Sequence, residues 1–287
     1  MQFHHILFPV DFSDRAHSCA PHIRALSQRF GAKLTLIHAL EAPRPWFAGM
    51  EAPVVPEIDY QRLEAEAEVR LEDFASAEFP RQKVAAKVEW GEPASVIEEF
   101  VNKNGVDLIA MPTHGRGIFR AALLGSVTSK ILHDVKCAVW TDAHVEGPVK
   151  GQPAWNSILC AIDLSPESAH MMEEAASLKR QFGSTVRLVH AVPGPEAGLE
   201  RYFDGEFQLF LENSARKSIA DLQRDAGTDF EICLATGSPG RVVAYAAEHH
   251  QADLVIIGRG HLRSAVARLR THAHSIIQNA GCPVLSI

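Results

Sequence analysis

The chain has 287 residues, 46% hydrophobic and 22% charged, with a formal net charge of −7. That length is comfortable for two domains of about 140 residues, and the composition is that of an ordinary globular protein rather than a disordered one. A net negative charge argues against a nucleic-acid-coating surface, which is normally basic.

The chain opens with Met1-Gln-Phe-His-His-Ile-Leu-Phe-Pro-Val-Asp11, which lacks a basic region followed by a long apolar run, so no signal peptide is expected. No stretch reaches the roughly 18 apolar residues of a membrane span, which makes the cytoplasm the expected location and a membrane an unexpected partner. Short apolar runs at His5–Val10, Lys33–Leu40, Val84–Trp90, Val106–Met111 and Cys137–Thr141 read as strands. Between the first two, Ala16, Ala20, Ile23, Leu26 and Phe30 recur at helical spacing, with Ser13 as N-cap and Gly31 as stop. Pro21 falls inside this helix and predicts a kink. The segment Tyr60–Phe79 sets Leu63, Ala67, Leu71 and Phe74 against a run of acids, the pattern of an amphipathic helix with a solvated face. Another helical pattern opens at Ser126 and carries Val127, Ile131 and Leu132.

The same order then returns. Phe8–Ser13 matches Cys160–Ser165, Leu36–Ala39 matches Leu188–Ala191, and Gly91-Glu-Pro93 matches Gly237-Ser-Pro239. Asp107-Leu108 matches Asp253-Leu254, and Cys137-Ala-Val139 matches Cys282-Pro-Val284. Five landmarks in one order make the chain a duplication. We divide it into a first repeat at 1–142, a Gly- and Pro-containing linker at 143–154, and a second repeat at 155–287. In the second repeat Ser165 is the expected cap and Pro166 the first helical residue, with Met172, Ala175, Ala176 and Phe182 buried and Gly183 ending the helix. Each repeat alternates strand and helix. The expected fold is therefore α/β: two tandem, open, doubly wound sheets, each mostly parallel, five-stranded and flanked by helices.

In such sheets ligands bind beyond the carboxyl ends of the strands, where strand order reverses. Pro9, Val10 and Asp11 follow the first strand of repeat one, and His38-Ala39 end the second. The fourth strand runs into Met111-Pro-Thr-His-Gly115-Arg-Gly-Ile-Phe-Arg-Ala-Ala-Leu-Leu-Gly125-Ser126-Val127. A helix starting at Ser126 presents unpaired amides and a positive dipole end, and the glycines let backbone approach closely, a combination suited to phosphate. Asp11 is placed to accept from a ribose or adenine donor. The same features also occur in loops and caps that bind nothing.

Together these residues resemble the universal stress protein family in a tandem arrangement. The resemblance rests on the Asp11-x-Ser13 opening, His38, Gly91-x-Pro93, the Thr113-His-Gly-Arg-Gly…Leu-Leu-Gly-Ser-Val127 loop and the Cys137-x-Val139 strand, and it covers essentially the whole chain. It implies an adenine-nucleotide alpha-hydrolase-like fold and a non-catalytic stress-response module holding ATP or AMP, with or without Mg2+. By that resemblance Asp11 and Ala39 hold adenine and ribose, while Pro9, Val10, Met111, Thr113 and His114 line the site. Gly115, Gly125, Ser126 and Val127 hold phosphates. The family loop has glycine where Pro112 stands, which removes one backbone donor. The second repeat departs further, with Arg270 in place of Gly125. It is expected to be a degenerate structural partner, with an anion pocket of Arg259, Arg263, Arg268 and Arg270 as the alternative.

The resemblance also implies pairing of the two repeats through Ala138–Thr141 and Val284–Ile287, with a homodimer and an unidentified protein partner as further expectations. Two competing functions stand beside the nucleotide module: an association protein that binds no nucleotide, and an adenylating or ATP-hydrolysing enzyme. The latter is disfavoured because Val10-Asp-Phe-Ser-Asp-Arg15 lacks a glycine-rich loop, and no G-x-S-x-G elbow or Walker lysine is present. The histidines do not fit a zinc spacing, and the five scattered cysteines read as free buried thiols. His38 and His190 are expected to be packed or hydrogen-bonded near strand ends.

Overall fold

The computed structural model describes residues 1–42, 58–114, 124–142, 155–194, 205–259 and 268–287, with the side chains of 268–271 excluded. The chain divides into two compact units, one of Phe3–Met111 with Ser126–Cys137, the other of Met1–Gln2, Pro112–Gly125 and Ala138–Ile287.

The first of these contains β1 (His5–Pro9), α1 (Asp14–Phe30), β2 (Lys33–Leu40), α2 (Tyr60–Glu78), β3 (Val84–Trp90), α3 (Pro93–Asn104), β4 (Leu108–Met111) and α4 (Ser126–Asp134). Its strands lie in the order β3-β2-β1-β4, all parallel, with Leu7 in register with Thr35 of β2 on one side and Ile109 of β4 on the other. Strand order reverses between β1 and β4. The central strands read as continuous apolar runs because helices cover both faces: all four residues of β4 are buried, as are Ile6, Leu7 and Phe8 of β1. Burying each Leu, Ile or Phe contributes about 1.5–3 kcal/mol. Phe8 is fully buried, edge-on to Phe74 and Phe79 at centroid distances of 6.0 and 6.3 Å.

Local signals mostly act as the sequence predicts. The Ser13 hydroxyl accepts from the Ala16 amide at 3.2 Å, and Gly31 closes α1 with φ of 63°. The helix runs from Asp14 to Phe30 through Pro21 without interruption. Two polar groups at the start of β1 are fully engaged. The Asp107 carboxylate accepts from the His4 and His5 amides at 2.7 and 3.0 Å, and the buried His5 ring meets the Asn104 carbonyl at 3.1 Å and Thr35 Oγ1 at 2.9 Å.

The other unit contains β5 (Ala138–Thr141), β6 (Ser157–Ala161), α5 (Glu167–Phe182), β7 (Thr185–Val192), α6 (Gly205–Ala226), β8 (Glu231–Thr236), α7 (Pro239–His249), β9 (Leu254–Ile257), α8 (Arg268–Asn279) and β10 (Val284–Ser286). Its order is β5-β10-β9-β6-β7-β8. The five strands of the second repeat are parallel and wind as expected. To them β5, from the first repeat, is added antiparallel, with Thr141, Trp140 and Val139 opposite Val284, Leu285 and Ser286. The pairing of repeats through these two strands is thus present within the chain.

One expected cap is corrected. Helix α5 begins at Glu167, Pro166 takes the boundary position with helical φ and ψ, and no side-chain cap is made there. There the Ser168 amide donates to the Ser165 backbone carbonyl at 3.0 Å, and Asp163 Oδ1 accepts from the Ser165 amide at 3.0 Å and from the Ser168 hydroxyl at 3.1 Å. The linker at 143–154 lies outside the described residues.

Candidate functional site

Strand β1 ends at Pro9, and Val10 leaves the sheet still tethered, its amide donating to the Ile37 carbonyl at 2.8 Å. The Val10 carbonyl meets His38 Nδ1 at 2.7 Å. Asp11 then starts a tight turn in which Oδ1 accepts from both the Ser13 amide at 3.0 Å and the Ser13 hydroxyl at 2.6 Å. Within that turn Phe12 adopts φ of 59°, an uncommon conformation for a side chain that branches into a ring. Its ring packs on His38 at 4.5 Å and lies under the Arg70 guanidinium at 4.2 Å. The strain is thus held by contacts on the ring, and the turn fixes where the Asp11 carboxylate stands. Neither Phe12 nor Arg70 is evident from the sequence, because both act through a backbone conformation that no spacing rule records.

Ala39 is half-buried in β2, in register with Glu89 of β3. Met111 is buried at the end of β4, the strand that runs beside β1. Ser126 is exposed as the first residue of α4, and Val127 follows it half-buried. Pro9, Val10, Asp11, Ala39, Met111, Ser126 and Val127 therefore share one compact unit. Pro112, Thr113, His114 and Gly125 belong to the other. There Thr113 is buried, its hydroxyl meets His114 Nδ1 at 3.1 Å, and its carbonyl accepts from the Gly125 amide at 2.9 Å. Gly115, the central glycine of the sequence motif, lies outside the described residues.

The Gly-x-Pro motif has a plain conformational cause. Gly91 has φ of +149°, and a Cβ on it would stand 2.8 Å from Val96 Cγ2; Gly237 repeats this with φ of +145° facing Val242. In the first repeat the motif's middle residue adds something the second lacks. Glu92 caps α3 by accepting from the Ala94 and Ser95 amides, and Lys130 of α4 pairs with it at 2.8 Å. The Lys130 hydrogen bond is the main reason the Glu92 carboxyl is held down at about 2; burial opposes it, and the bonds from Ser95 and Ala94 reinforce it. This ion pair ties the cap of α3 to the helix that opens at Ser126.

In the second repeat the corresponding groups are arranged differently. His190 Nδ1 meets the Ile162 carbonyl at 2.9 Å, as His38 does with Val10. Asp163 is pushed up by burial, but hydrogen bonds from Ser165 and Ser168 outweigh this and leave its carboxyl below the usual range. Gly258 stands where the first repeat has Pro112, and a Cβ there would lie 2.6 Å from Met171 Sδ, so a thioether is packed directly against that backbone. Of the arginines, Arg263 and the side chains of Arg268 and Arg270 lie outside the described residues. Arg259 donates its amide to the Ile287 carbonyl at 3.0 Å.

All five cysteines are free thiols. Cys19, Cys160 and Cys282 are buried, but Cys137 and Cys233 are only half-buried, which corrects the expectation of uniform burial. Burial pushes the thiols of Cys160 and Cys282 up to about 12. Among the described residues no helix is long and apolar enough to cross a membrane.

Comparison with known proteins agrees with this reading of the architecture. A universal stress protein of Thermus aquaticus, from the QAH/OAS sulfhydrylase 3' region, is 35% identical over 137 residues, 48% of this chain and 96% of that protein. Universal stress protein A of Escherichia coli K12 is 28% identical over 138 residues, 47% of this chain and 94% of its own length. Among solved structures, a universal stress protein from Archaeoglobus fulgidus superposes with a TM-score of 0.68 at 17% identity, covering 99% of this chain and 96% of that one. A putative universal stress protein from Pseudomonas aeruginosa gives 0.64 at 14%, covering 99% and 93%. These two share the fold over the full tandem length. The universal stress protein family matches residues 2–141 and again 154–287, and the chain belongs to that family, as a tandem pair of its modules.

Proposed function

We propose that the first repeat, residues 1–142, binds an adenine nucleotide, ATP or AMP, without turning it over, and that occupancy or the association surface governs a protein partner. Asp11 and the Ala39 backbone take the adenine and ribose. Gly115, Gly125, Ser126 and the Val127 amide take the phosphates, together with Mg2+ where it is bound. The observation that carries this is the placement of Asp11. Its turn commits Oδ1 to Ser13, while Oδ2 accepts no hydrogen bond from a described residue, at the carboxyl end of the strand beside which order reverses. The amides that open α4 belong to the same unit and provide a positive end for anionic oxygen. The sequence carries no nucleophile elbow and no Walker lysine, so binding is not coupled to chemistry. The second repeat, joined through residues 143–154, serves as a structural partner.

Calorimetric titration of the full chain with ATP and with AMP, each with and without Mg2+, tests this. Heat of binding that disappears in Gly125→Arg is the expected result, since that change places in the first repeat the residue the second carries at position 270. Absence of heat at millimolar nucleotide, or heat unaffected by Gly125→Arg, overturns it. The second reading, association without nucleotide, is favoured by Pro112, which supplies no backbone donor, and by the β5–β10 pairing. Recovery of an adenine nucleotide from the purified protein by mass spectrometry counts against that reading.

A further inference from the structure

Strand β8 ends its sheet: it pairs with β7 over six consecutive residues, Glu231 to Thr236 opposite Arg187 to Val192, and no described residue pairs with its outer side. An exposed edge offers a row of backbone donors and acceptors, and proteins ordinarily protect such edges with lysine, proline or a bulge. This strand has none of these. It reads Glu-Ile-Cys-Leu-Ala-Thr, its pairing is regular throughout, and its four apolar residues are half-exposed. We propose that this edge is the docking surface for a second copy of the chain, β8 pairing antiparallel with β8 about a two-fold axis.

Charge selects this edge for self-pairing and rejects the comparable one. Strand β3 ends the sheet of the other unit and reads Val-Ala-Ala-Lys-Val-Glu-Trp, with Lys87 and Glu89 exposed. An antiparallel pairing of β3 with itself about its middle residue sets Lys87 against Lys87, and like charges directly opposite destabilise a sheet. In β8 the one charged residue, Glu231, is already neutralised by Arg187 at 2.7 Å. The same operation about the middle of β8 places Glu231 opposite Thr236. The strand is electrostatically silent and self-complementary, and an isologous contact of this kind closes as a dimer.

The flanks of β8 are apolar in the manner of an interface. On one side the Gln208 amide bonds the Thr236 hydroxyl and so ties the first turn of α6 to the strand; there Phe207 and Phe210 stack on each other, Phe210 being 65% exposed. On the other side Cys233 Sγ lies 3.3 Å from His250 Nε2, and His249 beside it stacks on Tyr245, which is 66% exposed. Exposed large apolar groups bordering a strand edge that no described residue pairs with mark an interaction surface rather than ordinary solvent-facing structure.

The test uses the full chain, with light scattering for mass and hydrogen exchange for location. At about 200 µM the mass should be twice the 31.5 kDa of one chain, and the amides of 231–236 should exchange at least about tenfold more slowly than at about 1 µM, with those of 84–90 unchanged. Ala235→Lys, a gatekeeper substitution at a half-exposed position, should raise the dissociation constant at least about tenfold while the circular dichroism spectrum and thermal midpoint are retained. A single-chain mass at the higher concentration overturns the proposal. So does a dimer whose β8 amides exchange equally at both concentrations, and so does growth beyond a dimer, which would indicate head-to-tail pairing of β8 with β3. The exchange measurement stands on the unmodified protein, so it decides the matter even if Ala235→Lys fails to fold.

Discussion

Gly240→Ala should destabilise the protein, although alanine is the better helix former. Gly240 is the second residue of α7, and a Cβ built on it collides with the Ser275 hydroxyl of α8 and stands 3.0 Å from both the Cβ and the carbonyl oxygen of that residue. The carbonyl cannot yield freely, because the Asn279 side-chain amide donates to it at 2.7 Å. Overpacking of this kind costs about 1–3 kcal/mol. The helix-propensity gain of Gly→Ala returns at most about 1 kcal/mol, and less in a first turn. The net expectation is a loss of about 1 kcal/mol, which lowers the thermal midpoint by roughly 2–4 °C in a protein of this size class. Urea unfolding should show a lower midpoint at unchanged slope. Ser275→Ala removes the nearest colliding atom, so the double variant should recover part of the loss, a coupling of at least about 0.5 kcal/mol. The corresponding residue of the first repeat is Ala94, fully accommodated in α3, and Ala94→Gly should be destabilising in its turn. A Gly240→Ala variant as stable as the original, or a cycle without coupling, would refute the close α7–α8 approach.

Other outcomes follow from single residues. Burial lowers the His5 imidazole below 6.5. The unfolded chain therefore binds the proton first, and stability should be complete above about pH 6.5 and decline as pH falls through the folded value. His5→Gln should flatten that limb of the urea midpoint measured across the range, and an unchanged slope would count against it. Asp163 is depressed in the folded state, so its contribution is present above the ordinary carboxylate range and is lost as pH falls through the folded value; the stability difference between the original and Asp163→Asn should shrink towards acid pH. Lys130→Met should raise Glu92 from about 2 towards the ordinary glutamate range, read by NMR titration of its carboxyl carbon. Phe8→Ala removes a fully buried ring and should cost about 3–5 kcal/mol. At the matching position of the second repeat Cys160→Ala should cost distinctly less, since it deletes one atom.

Much of the architecture was legible in the sequence, because apolar periodicity and caps are local. The limits of β2 and β3 coincide with the apolar runs Lys33–Leu40 and Val84–Trp90, and Gly31 and Gly183 end their helices in left-handed conformations. What escaped is non-local. The Glu92–Lys130 pair joins residues far apart in sequence, and nothing in either neighbourhood marks them as partners. The candidate site was legible in its parts, Asp11, Ala39, Met111 and Ser126, while the turn that holds Asp11 depends on a left-handed Phe12 that no residue preference would suggest.

The duplication itself supplies a control for judging which parts of the site are functional. His38 and His190 make the same bond to the carbonyl after their first strands, and Asp107 and Asp253 each cap two amides at the start of the neighbouring strand. Phe12 and Leu164 share the left-handed turn. Features common to both repeats are scaffold: they would be kept whether or not a ligand is bound, and they cannot argue for one. The weight must rest on what differs. Both carboxylates commit only Oδ1, but Asp11 holds one residue, Ser13, whereas Asp163 holds both Ser165 and Ser168. The helix after the glycine loop is tied to Glu92 in one repeat, while in the other α7 and α8 approach directly through Gly240 and Ser275. If only the first repeat binds nucleotide, exchanging these differences, through Glu92→Ser and Lys130→Ser in the first repeat, should weaken binding without unfolding the module. Exchanging the shared residues should unfold both repeats alike.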